Sequence, residues 1–238
     1  YCIGSRQLKT NEEIVNIVCD CLDLYEKNNA PHIILFPEVR FNQQRFLKKI
    51  KAVVKENGYC VIVASEGVKN SKGKFLAESD TKDAFGHTQL GGVAPYLASL
   101  ITKKLQLKNH WAISDYLQRS ARHISSKTDL LHAEAVGIHA VKYAIQGLNG
   151  VMPVIIRGKG AKYSWKIKPA PLSKIANVER KLPKAFITKD GFDVNTKAIK
   201  YLQPLIQGEA YPKFYNGIPK IRQLKLIEVK KKLPKWKF

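Results

Sequence analysis

With 238 residues, 45% of them hydrophobic and 25% charged, the chain has apolar material for one large or two small folded domains, and the balance excludes wholesale disorder. Lys and Arg number 41 against 19 Asp and Glu, a formal net charge of +22, which points to anionic partners such as phosphorylated metabolites, nucleic acid or acidic surfaces. The four cysteines form no CxxC pair, so neither a disulfide framework nor a zinc site is indicated, and no apolar run approaches the roughly 20 residues of a membrane span.

Cys2, Cys19, Cys21 and Cys60 therefore read as reduced thiols of a cytoplasmic protein, and the first residues lack the charged and apolar regions of a secretory leader. The chain opens on Tyr1 rather than Met, as expected of a chain cut from a longer one.

Thr10 followed by Glu13 is a capping box, and Ile14, Ile17, Val18, Cys21, Leu22 and Tyr25 continue it at helical spacing. The run "HIILF", 32–36, ends at Pro37 and Glu38 and reads as a strand buried on both faces. Residues 42–56 place Phe46, Ile50, Val53 and Val54 on one helical face, and Asn57-Gly58 supplies a stop. "YCVIVA", 59–64, is a second buried-type strand, followed at once by Ser65, Glu66 and Gly67. Strand, helix and strand in this order predict a parallel pair with a right-handed crossover, hence an α/β fold with a Rossmann-like parallel sheet layered between helices.

Residues 68–89 are polar and Gly-bearing and predict a long loop over the active face. A helix is expected from Val93 to Leu105, with Pro95 in its first turn. "HWAISDYL", 110–117, is the third strand candidate. Ser126 with Asp129 can start a helix running to Gln146 and closed by Gly147, with Leu130, Leu131, Ala135, Ile138, Val141 and Ile145 as its apolar face. Beyond it "VMPVIIRG" and "YSWKIK" read as strands, "PLSKIANVERKLP" as a short helix ended by Pro183, and "NTKAIKYLQPLI" as a helix interrupted near Pro204. The last twenty residues hold eight basic side chains against Glu228, a charged tail or a polybasic edge strand.

Ligands of parallel α/β sheets bind beyond the carboxyl ends of the strands. Glu66 stands there, as a ligand carboxylate or as a helix-cap or loop carboxylate. The cluster Arg119, Arg122 and His123 lies after a strand and before a helix, where an Arg fork suits a phosphate or carboxylate. Arg119 is the anion anchor of choice, its alternative being a surface arginine paired with a helix-terminal acid; Arg122 reads as a solvated charge and His123 as a structural residue. No nucleophile elbow, His-Glu metal motif or P-loop is present, and "GKGAK", 158–162, lacks the spacing of a phosphate-cradling loop. The residues themselves thus reach an α/β protein with a sugar- or phosphate-sized anionic ligand near Glu66 and Arg119.

"PHIILFPEVRFN", "VIVASEGV", "DAFGHTQLGGVAPYLASLI", "YLQRSARHISSKTDLLHAEAVGIHAVKYA" and "LSKIANVERKLPKAFI" stand in one collinear order. Together they resemble the C-terminal half of a phosphofructokinase, nearest to the diphosphate-dependent branch. The resemblance covers most of residues 31–215 and implies an incomplete phosphofructokinase-like fold. It further implies phosphoryl transfer from diphosphate or ATP to the 1-hydroxyl of fructose 6-phosphate with Mg²⁺, whose ligands would not lie in this chain. Carried over by position, Glu66 of "SEG" would accept hydrogen bonds from sugar hydroxyls, and Tyr116, Leu117, Gln118 and Arg119 of "YLQR" would form the segment that meets the sugar phosphate. His110 stands where the family usually has an Arg that reaches a neighbouring subunit's substrate, and Asp115 replaces the usual Gly before "YLQR".

The family's glycine-rich donor loop and the Thr-Ile-Asp segment with its catalytic base are not in this sequence, and near the start "CIGSRQLKT" stands in place of its Met-Gly-Arg motif. The expectation is a chain inactive on its own, a fragment or a split subunit, assembling as a homo-oligomer or with a partner half that carries the donor site. Residues 1–150 would form the sugar-phosphate-binding part, 151–218 would complete the fold and 219–238 would be a basic tail. The competing readings are a non-catalytic phosphofructokinase-like subunit and a basic module that binds nucleic acid.

Overall fold

Burial on both faces is what turns "HIILF" and "YCVIVA" into adjacent strands. In the computed structural model, which describes residues 30–76, 78–82, 88–90, 92–113, 122–220, 225–228 and 230, strand β1 spans Ile33–Leu35 and β2 spans Ile62–Ala64. They pair in parallel, Ile33 with Ile62, Ile34 with Val63 and Leu35 with Ala64. The crossover is helix α1, Gln43–Asn57. Asn42 caps it by accepting from the N–H of Arg45 at 3.0 Å, and Gly58, at φ 80°, ends it in the left-handed conformation that a side chain would strain. The βαβ unit forms as expected, and its period-two strands and period-3.6 helix decide what packs where.

Side chains alternate across the strands, so the pair separates two cores. Ile33, Leu35 and Ala64 face α1 and a second helix, α2 (Val93–Leu105), packing with Phe46, Ile50, Val93, Leu97 and Ile101. Ile34, Phe36 and Val63 face Leu182 on the opposite side. That second layer is built from irregular chain and short 3₁₀ turns rather than the expected helix. "PLSKIANVERKLP" makes only a turn at Leu172–Lys174, because Asn177 takes a positive φ of 62° and Leu182 gives its N–H to the Glu38 carboxylate.

Two further expectations are corrected, and a third is untouched. The long loop of 68–89 contains two short antiparallel strands, β3 (Glu78–Lys82) and β4 (Thr88–Leu90). The third buried strand does not form over 110–113, where His110, Trp111 and Ala112 are irregular and exposed. The capping box at Thr10 lies outside the described residues.

Helix α3, Lys127–Ile145, starts where Ser126 accepts from the N–H of Asp129 at 3.0 Å, as read from the sequence. Its remaining first-turn donors are taken by the chain far downstream: Lys127 N–H by Gly208 O at 2.7 Å and Thr128 N–H by Gln207 O at 3.1 Å. The apolar face expected of it is not a core here, since only His132 is buried and Leu131, Ile138, Val141 and Ile145 are exposed. The helix packs on an antiparallel hairpin, β5 (Val151–Arg157) and β6 (Trp165–Pro171), and on the turn Gln203–Ile206 that follows helix α4 (Thr196–Leu202). Two-residue strands β7 (Phe214–Tyr215) and β8 (Ile218–Pro219) form a last hairpin. No described helix is long and apolar enough to cross a membrane.

Candidate functional site

The carboxyl edge of the parallel pair carries two carboxylates. Beyond β2, Ser65 N–H donates to Leu35 O at 3.1 Å and Gly67 N–H to Ser65 Oγ at 3.2 Å, a tight turn that aims Glu66 inward. Glu66 is only 7% exposed, and its Oε2 accepts the N–H of Val93, the first residue of α2, at 3.1 Å. Gly92 at the N-cap of α2 has no side chain to offer, so Glu66 supplies the cap from across the fold. Burial pushes the Glu66 carboxyl up, and the Val93 N–H opposes that shift.

Beyond β1, Glu38 accepts from the Leu182 N–H at 2.9 Å through Oε1, while Oε2 is buried with no hydrogen-bond partner among the described residues. The sequence marked Glu38 only as the end of a strand; its signal was the same strand-then-carboxylate pattern that singled out Glu66.

Gly92 also locates the start of the basic segment. At φ 97° it suits glycine, and a Cβ there would meet Pro95 Cδ at 3.2 Å and Ile113 Cδ1 at 3.5 Å. Ile113, which opens "ISDYLQR", therefore lies one residue away from the N–H that Glu66 holds. Tyr116, Leu117, Gln118 and Arg119 lie outside the described residues. Past them, the Arg122 guanidinium donates to Ala210 O, so this arginine is bound to backbone rather than merely solvated. The side chain of His123 also lies outside the described residues.

His110 is exposed. It follows Asn109, whose amide donates to Thr102 Oγ1 at 2.8 Å and Ala98 O at 3.3 Å on the flank of α2, and no described hydrogen bond joins it to Glu66. A cleft beyond β1, lined by Phe36, Arg40, Phe41, Asn42, Arg45 and Asp190 among others, contains none of the sequence-predicted site residues. Among the described residues no three His, Cys, Asp or Glu side chains converge, and Glu38 and Glu66 each spend an oxygen on a backbone N–H. The described residues therefore do not fit a Mg²⁺ site.

No protein-family model matches the chain. Over 212 residues it is 52% identical to the pyrophosphate–fructose 6-phosphate 1-phosphotransferase of Xanthomonas campestris pv. campestris, covering 88% of this chain and 50% of that one. The enzyme of the same name from Halomonas elongata is 48% identical over 212 residues, covering 89% and 51%. The crystal structure of pyrophosphate-dependent phosphofructokinase from Nitrosospira multiformis matches with a TM-score of 0.73 at 39% identity, covering 95% of this chain and 62% of that one.

Fold and sheet edge together define an incomplete α/β domain of the phosphofructokinase kind. The chain belongs to the phosphofructokinase family and corresponds to the C-terminal half of its diphosphate-dependent members. It spans about half the length of the curated relatives it matches.

Proposed function

We propose that this chain is the sugar-phosphate-binding half of a phosphotransferase that moves a phosphoryl group from diphosphate or ATP to fructose 6-phosphate. The observation that carries the reading is the 52% identity, sustained over 88% of the chain, to a protein named for that reaction. In this reading Arg119 anchors the sugar phosphate by a bidentate fork, and Tyr116, Leu117 and Gln118 complete the substrate-binding segment. Glu66 accepts from sugar hydroxyls through the oxygen not given to Val93, and His110 faces a neighbouring copy's substrate. Residues 1–150 form the binding part, 151–218 complete the fold and 219–238 are a basic tail.

Phosphoryl transfer gains its acceleration from positioning and charge neutralisation of the donor phosphates. The donor loop and the catalytic base are then the task of a segment this sequence does not contain, and Mg²⁺ would neutralise the donor there. The test is thermal stabilisation of the purified chain. Fructose 6-phosphate is expected to raise Tm in a saturable way, by an amount that follows its occupancy, and Arg119→Ala is expected to abolish the rise. Diphosphate with Mg²⁺ is expected to leave Tm unchanged, and neither donor is expected to give turnover. Stabilisation by fructose 6-phosphate that survives Arg119→Ala, or turnover by residues 1–238, would overturn the assignment.

A further inference from the structure

The chain that leads into α3 is tied, bond by bond, to residues 205–210. Ser126 Oγ donates to Leu205 O at 2.6 Å, Lys127 N–H to Gly208 O at 2.7 Å, and Thr128 to Gln207 O through both its N–H and its Oγ1 at 3.1 Å. Ser126 and Glu209 form an isolated antiparallel bridge, and the Arg122 guanidinium closes the series on Ala210 O. The backbone partners run in opposite directions, from Arg122 with Ala210 to Thr128 with Gln207, so residues 205–210 lie along 122–128 as a strap.

The strap has a fixed root and a close fit. Leu205 and Ile206 pack with Ala198 and Leu202, the buried pair of α4. Gly208 takes φ 78°, and a Cβ there would stand 2.9 Å from Lys127 Cβ, so the two stretches approach to a distance that only glycine allows. An anion at a helix N-terminus takes the first N–H groups. In α3 those of Lys127 and Thr128 are engaged by the strap and that of Asp129 by Ser126 Oγ, so a phosphate held by the preceding segment relies on side chains. Where those side chains start from is set by the strap.

We propose that residues 205–210 position the sugar-phosphate segment and that Arg122 is the positioning residue through which they act. By fastening the 3₁₀ turn Arg122–Ile124 to Ala210 O, it restricts where Arg119 can present its fork. Arg119 lies three positions before Arg122, and a fully extended chain spans roughly 3.3–3.6 Å per residue, so the anchor confines the Arg119 backbone to within about 11 Å of that of Arg122. A bidentate contact needs direction as well as charge, and a bond to a core-rooted carbonyl supplies the direction. The inference rests on the proposed function, which assigns the sugar phosphate to Arg119.

The experiment is calorimetric titration of residues 1–238 with fructose 6-phosphate. Arg122→Ala is expected to weaken binding about tenfold, and Arg122→Lys, whose ammonium can still donate to a carbonyl, by no more than about threefold. Gly208→Ala changes no charge but pushes the strap off Lys127, and it too is expected to weaken binding about tenfold. In an Arg119→Lys background, where a flexible point charge replaces the fork, neither Arg122→Ala nor Gly208→Ala is expected to weaken binding further by more than about twofold. A merely structural role would lower Tm and leave the affinity of the folded chain unchanged. Unchanged affinity in Arg122→Ala or in Gly208→Ala would overturn the inference, and so would equal losses with and without Arg119→Lys, which would put Arg122 on the ligand itself. Either variant decides alone should the other not fold. A wild-type chain that binds no fructose 6-phosphate would overturn the proposed function and this inference together, whereas wild-type binding indifferent to the strap overturns the inference alone.

Discussion

Glu66 joins two roles that substitution can separate. Its carboxylate caps the first N–H of the 13-residue α2 at 3.1 Å from a site only 7% exposed. Glu66→Ala leaves the Val93 N–H, on a residue 0% exposed, without its side-chain acceptor. An unsatisfied buried donor costs about 1–3 kcal/mol, and losing a negative charge at a helix N-terminus adds about 0.3–1 kcal/mol, so a loss of roughly 2–3 kcal/mol in unfolding free energy is expected. Glu66→Gln keeps an acceptor of the same shape and sheds a charge that burial already disfavours, so its cost should stay below about 1 kcal/mol. If the free oxygen also binds sugar hydroxyls, Glu66→Gln weakens charge-assisted hydrogen bonds and should lower fructose 6-phosphate affinity by about tenfold, the equivalent of roughly 1.4 kcal/mol. Urea unfolding measures the first effect and calorimetric titration the second. Equal destabilisation by Ala and Gln would refute the capping argument, and unchanged sugar affinity in Glu66→Gln would refute the ligand role.

Phe46 is fully buried between α1 and the sheet, and Phe46→Ala should cost about 3–5 kcal/mol in urea unfolding; a cost under 1 kcal/mol would mean that this core is not formed in solution. Burial lowers the pKa of His132, against the pull of Asp129, and of His32, against that of Glu56. A histidine whose folded pKa lies below its unfolded value of about 6.5 binds fewer protons when folded, so its contribution is intact above that value and is lost as pH falls through it. Tm should therefore fall between pH 7 and pH 5, and His132→Gln, which removes one of these two groups, should flatten the fall; an unaltered profile in that variant would remove His132 from the account. Burial pushes the Cys60 thiol up to about 11, with Lys49 opposing, so at pH 8 it should alkylate about a hundredfold more slowly than a free thiol, as read by mass spectrometry of the Cys60 peptide.

The local signals in this sequence that proved decisive are those whose physics is complete within a few residues. Asn57-Gly58 stops α1 because only a residue tolerant of positive φ can take the turn, and Ser126 starts α3 because its hydroxyl reaches the Asp129 N–H. The short β-branched runs of β1 and β2 could be read as parallel because both faces had to be apolar, and Glu66 could be placed at their carboxyl edge by counting. Family membership was legible for the same reason, as collinear motifs survive without any knowledge of contacts.

Tertiary structure alone decided what those elements meet. Periodicity marks an apolar face on α3 but cannot say whether this chain holds enough surface to cover it, and among the described residues it does not. The fold brought Val93 to Glu66 from 27 residues away, and Arg122 found a carbonyl 88 residues downstream, separations at which side-chain type is silent about partnership. "PLSKIANVERKLP" had the composition of a helix and lost it to a carboxylate on another element, because Glu38 offered the Leu182 N–H a bond that a helix would have had to replace. Sequence determines which bonds each segment is able to make. Only the folded arrangement decides which of them are made, since every buried polar group must find its partner among whatever the rest of the chain brings near.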